Sequence, residues 1–296
     1  MKAYDITFLG HMCYDEITPF EGPTRVAAGS AVLCGALAAT RTGNRVAVVV
    51  KMAPRDEAIL QPMRDAGIDT YLIPAAETTW SVVIHPVPDV DVRKLILKKS
   101  AGFIRLDEIP LLKTRCLHLA GISNTEFDLD LILSLAGRDY ALSADMQSFV
   151  RQVDPATCEI AFRDVPNKQL MVRQLSKVKL DAVEARVLTG SDDLEQAARI
   201  FEQWGCPETM ITRSDGVLVR VAGTTYFEKF SNRNLSGRTG RGDTTFAAYL
   251  ARRLDYGPGE SLRFAAALGS LKMESPGPFS GTMEEVLVRM KESHSS

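Results

Sequence analysis

The sequence predicts an α/β fold: a three-layer α/β/α arrangement with a mostly parallel central sheet and a small β lid. Three observations predict it. Short, continuously apolar runs recur along the chain, as expected of strands buried on both faces. Helical stretches rich in Ala and Leu separate these runs. One segment breaks the alternation with two strand-like runs on either side of a turn.

Taken in order, Ile6-Thr-Phe-Leu9 before Gly10 is the first strand, and Val46-Ala-Val-Val-Val50 after Gly43-Asn44 repeats its pattern. Between them a helix over about 30–40 opens after the flexible Ala28-Gly29, which completes a β-α-β unit. Further strands fall at Cys116–Leu119, Tyr140–Ser143, Val178–Leu180 and Thr209–Thr212, with helices over Asp128–Ala136 and Leu194–Trp204. The exception is a hairpin: Trp80–Val87 and Arg93–Lys99 flank the turn-prone Pro88-Asp-Val-Asp91. Strands that project from a parallel sheet make a lid and not a second core. With no internal repeat or linker in the sequence, the expectation is one domain over 1–296 with a lid formed by about 14–28 and 77–100.

Composition narrows the class of function. The 296 residues are 45% hydrophobic and 24% charged, ordinary for a globular protein. The formal net charge of -2 supplies no field for nucleic acid or an anionic membrane, so a small-molecule partner is expected. Five scattered cysteines, Cys13, Cys34, Cys116, Cys158 and Cys206, form no CxxC pair and read as reduced thiols. The apolar run at the N-terminus is too short for a signal sequence or a membrane span, which makes the cytoplasm the simplest address.

The stretch that bears on chemistry is Gly237-Arg-Thr-Gly-Arg-Gly-Asp-Thr-Thr-Phe-Ala-Ala-Tyr-Leu250, a glycine-rich turn running into an amphipathic helix. Phe246, Leu250 and Leu254 share a face, and Gly257-Pro258 ends the helix. Backbone N–H groups left unpaired at such a helix start, with the positive end of the dipole behind them, attract phosphate oxygens. Arg238 and Arg241 add positive charge, and Asp243 is placed to take a proton from a hydroxyl nucleophile. The plainer alternative is an acidic cap on a glycine turn. The stretch is neither a GxxxxGK[ST] loop nor a GxGxxG fingerprint.

Gly240-Arg-Gly-Asp243 and its small-residue helix resemble the signature of the PfkB (ribokinase-like) carbohydrate kinase family, Gly-Ala-Gly-Asp. Other landmarks follow in the family's order over nearly the whole chain. Asp15 comes after the first strand, Gly29-Ser30 stands at the Gly-Gly pair, and Asp181-Ala-Val-Glu184 with Leu188-Thr-Gly190 resembles Asn-x-x-Glu and Leu-Thr-Gly. Thr212-Arg-Ser-Asp-Gly216 resembles Thr-x-x-x-Gly. The resemblance implies a phosphotransferase with an alcohol group as acceptor. In that reading Asp243 is the base and the turn of Gly240, Arg241 and Gly242 is the anion hole. Asp15, Gly29, Ser30, Gln147, Arg151 and Arg238 would contact the substrate, Asp181, Thr212, Gly216 and Ser270 the nucleotide, and Glu184 the Mg²⁺; ATP and Mg²⁺ are the implied cofactors.

Departures from the pattern concern the substrate. Ser30 replaces the second glycine, Cys34 stands where many members have asparagine, and Asp181 replaces asparagine. The arginines of the turn, Asp145-Met-Gln-Ser-Phe-Val-Arg151 and Lys272-Met-Glu-Ser-Pro-Gly-Pro278 resemble the myo-inositol kinase branch. The expected reaction is transfer of the ATP γ-phosphate to a hydroxyl of a cyclitol or sugar, with myo-inositol first. A ribose, fructose or nucleoside kinase is the nearest rival, and a catalytically silent ligand sensor on the same fold is a more distant one. Lys51 reads equally as a snorkelling lysine, and His11 and His118 as structural histidines. The hairpin edge leaves a homodimer open.

Overall fold

In the computed structural model, residues 2–88 and 92–293 are described, so Asp89-Val-Asp91 of the expected turn lies outside the described residues. In chain order, β1 (Ala3–His11) leads into β2 (Cys13–Thr18) and β3 (Arg25–Gly29), and α1 (Ala31–Arg41) returns to β4 (Val46–Met52). A short α2 (Gln61–Asp65) precedes β5 (Asp69–Pro74), β6 (Thr79–Ile84) and β7 (Lys94–Lys99). Next come β8 (Lys113–Leu119), α3 (Leu129–Leu135), β9 (Ala141–Asp145) and the single turn α4 (Gln147–Val150). The small pair β10 (Arg151–Val153) and β11 (Ile160–Phe162) is followed by α5 (Lys168–Val172), β12 (Lys177–Asp181), α6 (Ala182–Thr189) and α7 (Leu194–Gln203). The chain ends with β13 (Glu208–Thr212), β14 (Gly216–Val221), β15 (Thr224–Lys229), α8 (Arg241–Arg253), α9 (Pro258–Met273) and α10 (Met283–Glu292).

Among the described residues, nine strands form the central sheet in the order β15-β14-β13-β12-β9-β8-β1-β4-β5. It is parallel from β13 to β5, and β14 and β15 add antiparallel strands at one edge. The antiparallel edge was not anticipated, because no strand was expected over Gly216–Val221 or Thr224–Lys229. The helices fall on both faces. Phe246, Tyr249 and Leu250 of α8 lie in one core with α1, α9 and α10, and a second core holds Ile132, Ala185 and Phe201 on the opposite face. Each large side chain so buried contributes about 1.5–3 kcal/mol relative to exposure.

A second sheet has the order β3-β2-β6-β7. The expected hairpin is β6 against β7, antiparallel, with Ile84 opposite Lys94. Its other half comes from β2, which runs parallel to β6 and antiparallel to β3. The small sheet therefore stands on the end of β1, beside the gap between β1 and β8 where the strand order reverses. Open α/β sheets bind ligands at the carboxyl ends of strands at such a reversal.

Candidate functional site

The glycine-rich turn lies where the strand ends meet α8. Gly240, with φ +80°, is the residue before the first turn of α8, a left-handed conformation that glycine adopts without strain. A Cβ on Gly242 would come within 2.9 Å of the Lys179 Cε and Nζ, so the bare backbone lets a buried lysine approach the turn. The N–H groups of Gly242 and Asp243 have no acceptor within the helix at this position and face outward for an anion. Asp243 sits in the same turn, and the Gln147 amide approaches its Oδ1 at 3.4 Å while donating to the Gly121 carbonyl at 2.8 Å. Gln147 is buried and thus orients Asp243 from the side of β9.

Charges gather around this turn from several elements. Lys179, in β12, pairs with Asp145 of β9 at 2.9 Å, and both are buried. Burial disfavours the Lys179 ammonium, but Asp145, Glu184 and Asp243 outweigh it and hold the group cationic. Arg151 faces Glu184 at 3.4 Å. Burial opposes the charge on Arg151 too, and Glu184 and Asp181 more than compensate. Arg241 lies over the Phe230 ring at 5.5 Å, and its Nε is buried without a hydrogen-bond partner. Burial and then the neighbouring Arg238 push its value down, though a guanidinium stays charged at any working pH. From the small sheet, Arg93 comes close enough for its charge to act on Asp181, Glu184 and Asp243, and His85 feels both Arg93 and Arg238.

Across the turn lies a second, less cationic region. Asp15 extends from β2 opposite Ala27 of β3. Its carboxylate sits where a Cβ on Gly29 would be, 1.9 Å from Oδ2, so Gly29 is bare because Asp15 occupies that volume. Burial raises the Asp15 carboxyl; the Cys13 thiol, donating to Oδ1 at 3.3 Å, works against the rise and the charge of Asp243 adds to it. Ser30 has φ +146° and ψ 161°, a conformation ordinarily reserved for glycine. Its hydroxyl caps α1 by accepting from the Leu33 N–H at 3.0 Å, which offsets part of that strain. Cys34 lies one turn further on, and its Sγ would be 2.6 Å from a Cβ on Gly240.

The residues expected to hold a nucleotide have internal partners as well. The Ser270 hydroxyl is fully buried in α9, accepting from the Ser231 N–H at 2.8 Å and donating to the Ala266 carbonyl at 2.7 Å. Thr212 is buried at the end of β13, 3.4 Å from the Leu180 carbonyl. Gly216 is packed so closely that a Cβ would meet the Glu228 carbonyl at 2.5 Å and the Phe227 ring at 2.6 Å. Arg213 covers that ring at 4.8 Å. Asp181 caps α6 in a reciprocal capping box with Glu184, each side chain accepting the other's N–H at 2.8 Å.

Among the described residues no cluster of three His, Cys, Asp or Glu side chains could hold a metal by itself. Asp181, only partly buried and adjoining the buried Glu184 through their capping box, nevertheless gives a carboxylate pair that fits Mg²⁺, which takes one or two carboxylates and completes its shell with water and phosphate oxygens. Lys179, Arg93 and Lys272 escaped the sequence reading as site residues. The signal for Lys179 was present: a lysine inside the apolar run Lys177-Val-Lys-Leu180 needs a buried partner. Lys51 pairs with Glu108 at 2.7 Å, and His11 and His118 are buried among strand ends, so all three have structural partners.

No model of a known protein family matches the chain. Among solved structures, a pyrophosphate-dependent kinase in the ribokinase family, in a sulfate complex, is 31% identical with a TM-score of 0.89 over 95% of this chain and 99% of that one. A pyrophosphate-dependent kinase of that family complexed with a pyrophosphate analog and myo-inositol is 29% identical, with a TM-score of 0.87 over 96% of this chain and 99% of that one. A curated relative, the cytidine kinase of Thermococcus kodakarensis, is 24% identical over 277 residues, 90% of this chain and 93% of its own length. The ribokinase of Arabidopsis thaliana complexed with ribose and ATP shares the fold at 16% identity and a TM-score of 0.77 over 98% of this chain and 99% of that one. Sequence and architecture together make this chain a member of the ribokinase family, a phosphotransferase with an alcohol acceptor.

Proposed function

We propose that this enzyme phosphorylates a hydroxyl of a cyclitol, myo-inositol first among candidates, and that its donor is inorganic pyrophosphate. The observation that carries the donor is the contrast on the donor side. Arg93, Arg151, Lys179, Arg238 and Arg241 converge on the anion turn, whereas Ser270 and Gly216 are spent on internal packing. A donor made only of phosphate uses the first set and has no need of the second. The relatives at 29–31% identity, described as pyrophosphate-dependent kinases, support the same reading, and one of them holds myo-inositol. ATP, the donor expected from the sequence, is the rival, and a nucleoside is the rival acceptor, as the cytidine kinase suggests.

In the mechanism, Asp15 accepts hydrogen bonds from two acceptor hydroxyls, with Gly29 giving the carboxylate room. Gln147 holds Asp243, which takes the proton of the attacking hydroxyl. The amides of Gly242 and Asp243 receive the transferring phosphoryl as its bond to the bridging oxygen breaks and orthophosphate leaves, and Arg238 and Arg241 offset the charge spread over its oxygens. Asp181 and Glu184 would hold Mg²⁺, which neutralises phosphate charge when bound. The small sheet covers the acceptor and keeps water from the phosphoryl group.

The test is phosphorylation of myo-inositol, ribose, fructose and cytidine, each with pyrophosphate and with ATP, using Asp243→Asn as the control. Turnover of myo-inositol with pyrophosphate, reduced at least about 10³-fold in the variant, is expected. Preference for ATP by more than tenfold would overturn the donor assignment, and preference for another acceptor would overturn the cyclitol.

A further inference from the structure

The loop that leads into α8 is held from behind by a buried cation. Lys272 lies in the last turn of α9 and is 2% exposed. Its ammonium donates to the Gly237 carbonyl at 2.5 Å. Gly237 is pressed onto the end of α9: its N–H donates to the Met273 carbonyl at 2.7 Å, and a Cβ there would come within 1.8 Å of the Ser275 carbonyl oxygen. At the other end of the same short run, Lys272 Cε lies 3.8 Å from where a Cβ on Gly240 would be. The lysine thus touches both ends of the segment Gly237–Gly240 that delivers the anion turn.

A buried ammonium with a carbonyl as its hydrogen-bond acceptor is costly, and packing alone would be served as well by a methionine. Burial lowers its affinity for the proton, and the nearby Cys34 and Asp243 work to keep it charged. Asp243 of α8 therefore feels the charge of an ammonium that the Gly237 carbonyl holds in place.

We propose that Lys272 is a tethered cation of the anion turn. It fixes the Gly237 carbonyl so that the amides of Gly242 and Asp243 face the donor, and its charge adds to their field at the transferring phosphoryl group. The inference rests on the reading of this turn as the phosphoryl site. Lys272 touches neither substrate, so it is a positioning residue. Because the cation belongs to the chain, free monovalent ions have nothing to add at this place.

Lys272→Met keeps the length and removes the charge. We expect kcat to fall about 100-fold, the scale for removing one preorganised electrostatic group, with the acceptor KM within about threefold. Ammonium or methylammonium, compared with tetramethylammonium at equal ionic strength, then raises kcat of the variant about tenfold and leaves the unsubstituted enzyme unchanged. A kcat within threefold of the parent, or a loss that no small cation repairs, overturns the proposal. If Lys272→Met does not fold, the parent enzyme decides. Equal rates in sodium, potassium, ammonium and tetramethylammonium salts support the tethered cation, and a dependence above about threefold overturns it. If no acceptor is phosphorylated with either donor, the functional reading falls separately. The lysine is then judged by the rise in melting temperature with pyrophosphate, expected to shrink in Lys272→Met and to recover with ammonium; equal rises in both proteins sink it.

Discussion

The acceptor side of the site, from β2, β3 and the start of α1, differs in kind from the donor side at the ends of β9 and β12 and the start of α8. On the acceptor side one carboxylate, Asp15, is fitted into the space left by Gly29, and the charge that favours its ionised form comes from Arg151 across the site. On the donor side several cations share the buried acids Asp145 and Glu184, and their positions are fixed by ion pairs at 2.9 and 3.4 Å. Recognition of a neutral polyol needs exact volume and a few oriented hydrogen bonds, so steric changes are felt there most. Recognition of a small polyanion needs charge density, so removal of charge is felt there most.

The largest effect is expected from steric change on the acceptor side. Gly29→Ala would place a methyl group 1.9 Å from Asp15 Oδ2, and neither the β2–β3 pairing nor the carboxylate can move away cheaply. The acceptor KM should rise at least about 100-fold, while the donor KM changes by less than about threefold. Steady-state kinetics with each substrate varied in turn would show this split. Equal rises in both constants would break the division into two halves.

Removal of one donor-side charge should be milder and should have the opposite selectivity. Arg241→Met leaves an apolar side chain against Phe230 and removes the guanidinium together with its cation–π contact. Loss of one charge-assisted contact is worth about 1.5–3 kcal/mol, so the donor KM should rise about 10- to 100-fold with the acceptor KM nearly unchanged. Because Arg238 remains beside it, the effect should lie at the lower end, and raised ionic strength should weaken donor binding in both proteins.

This comparison also explains what was legible in the sequence. Gly240-Arg-Gly-Asp243 stands out because a helix start that binds an anion needs glycines and charges within one turn of each other, and both are local properties. Gly29 beside Asp15 was visible only through a resemblance, since the thirteen residues between them close into contact by the β2–β3 pairing. Lys179 and Lys272 were missed because each acts through a neighbour far away in sequence: Asp145 in one case, the Gly237 carbonyl in the other. The assignment of Ser270 to the nucleotide rested on position in a pattern, and only the path of the chain at Ser231 reveals that its hydroxyl is already engaged. The antiparallel edge of β14 and β15 was hidden for a related reason: a strand's direction depends on how the chain returns, and apolar periodicity does not encode that.

The smallest effect concerns pH and falls on the acceptor half. The Asp15 carboxyl is raised above its ordinary value of 3.8, mainly by burial, so the folded protein binds this proton more readily than the unfolded chain does. Its contribution to stability is therefore fully present below 3.8 and is lost as pH rises through the folded value; at neutral pH the charged Asp15 detracts from stability. Asp15→Asn should melt about 2 °C higher than the parent at pH 7 in the absence of substrate, and the gap should close as pH falls towards 4. Acceptor binding has the opposite dependence, because only the carboxylate accepts from two hydroxyls. The acceptor KM of the parent should then begin to rise at a higher pH than an ordinary aspartate would dictate, while the donor KM stays level because the guanidinium groups keep their charge. A donor KM that climbs in step with the acceptor KM would mean that the acids shared with Lys179 and Arg151 titrate first, and the two sides would have to be treated as one coupled site.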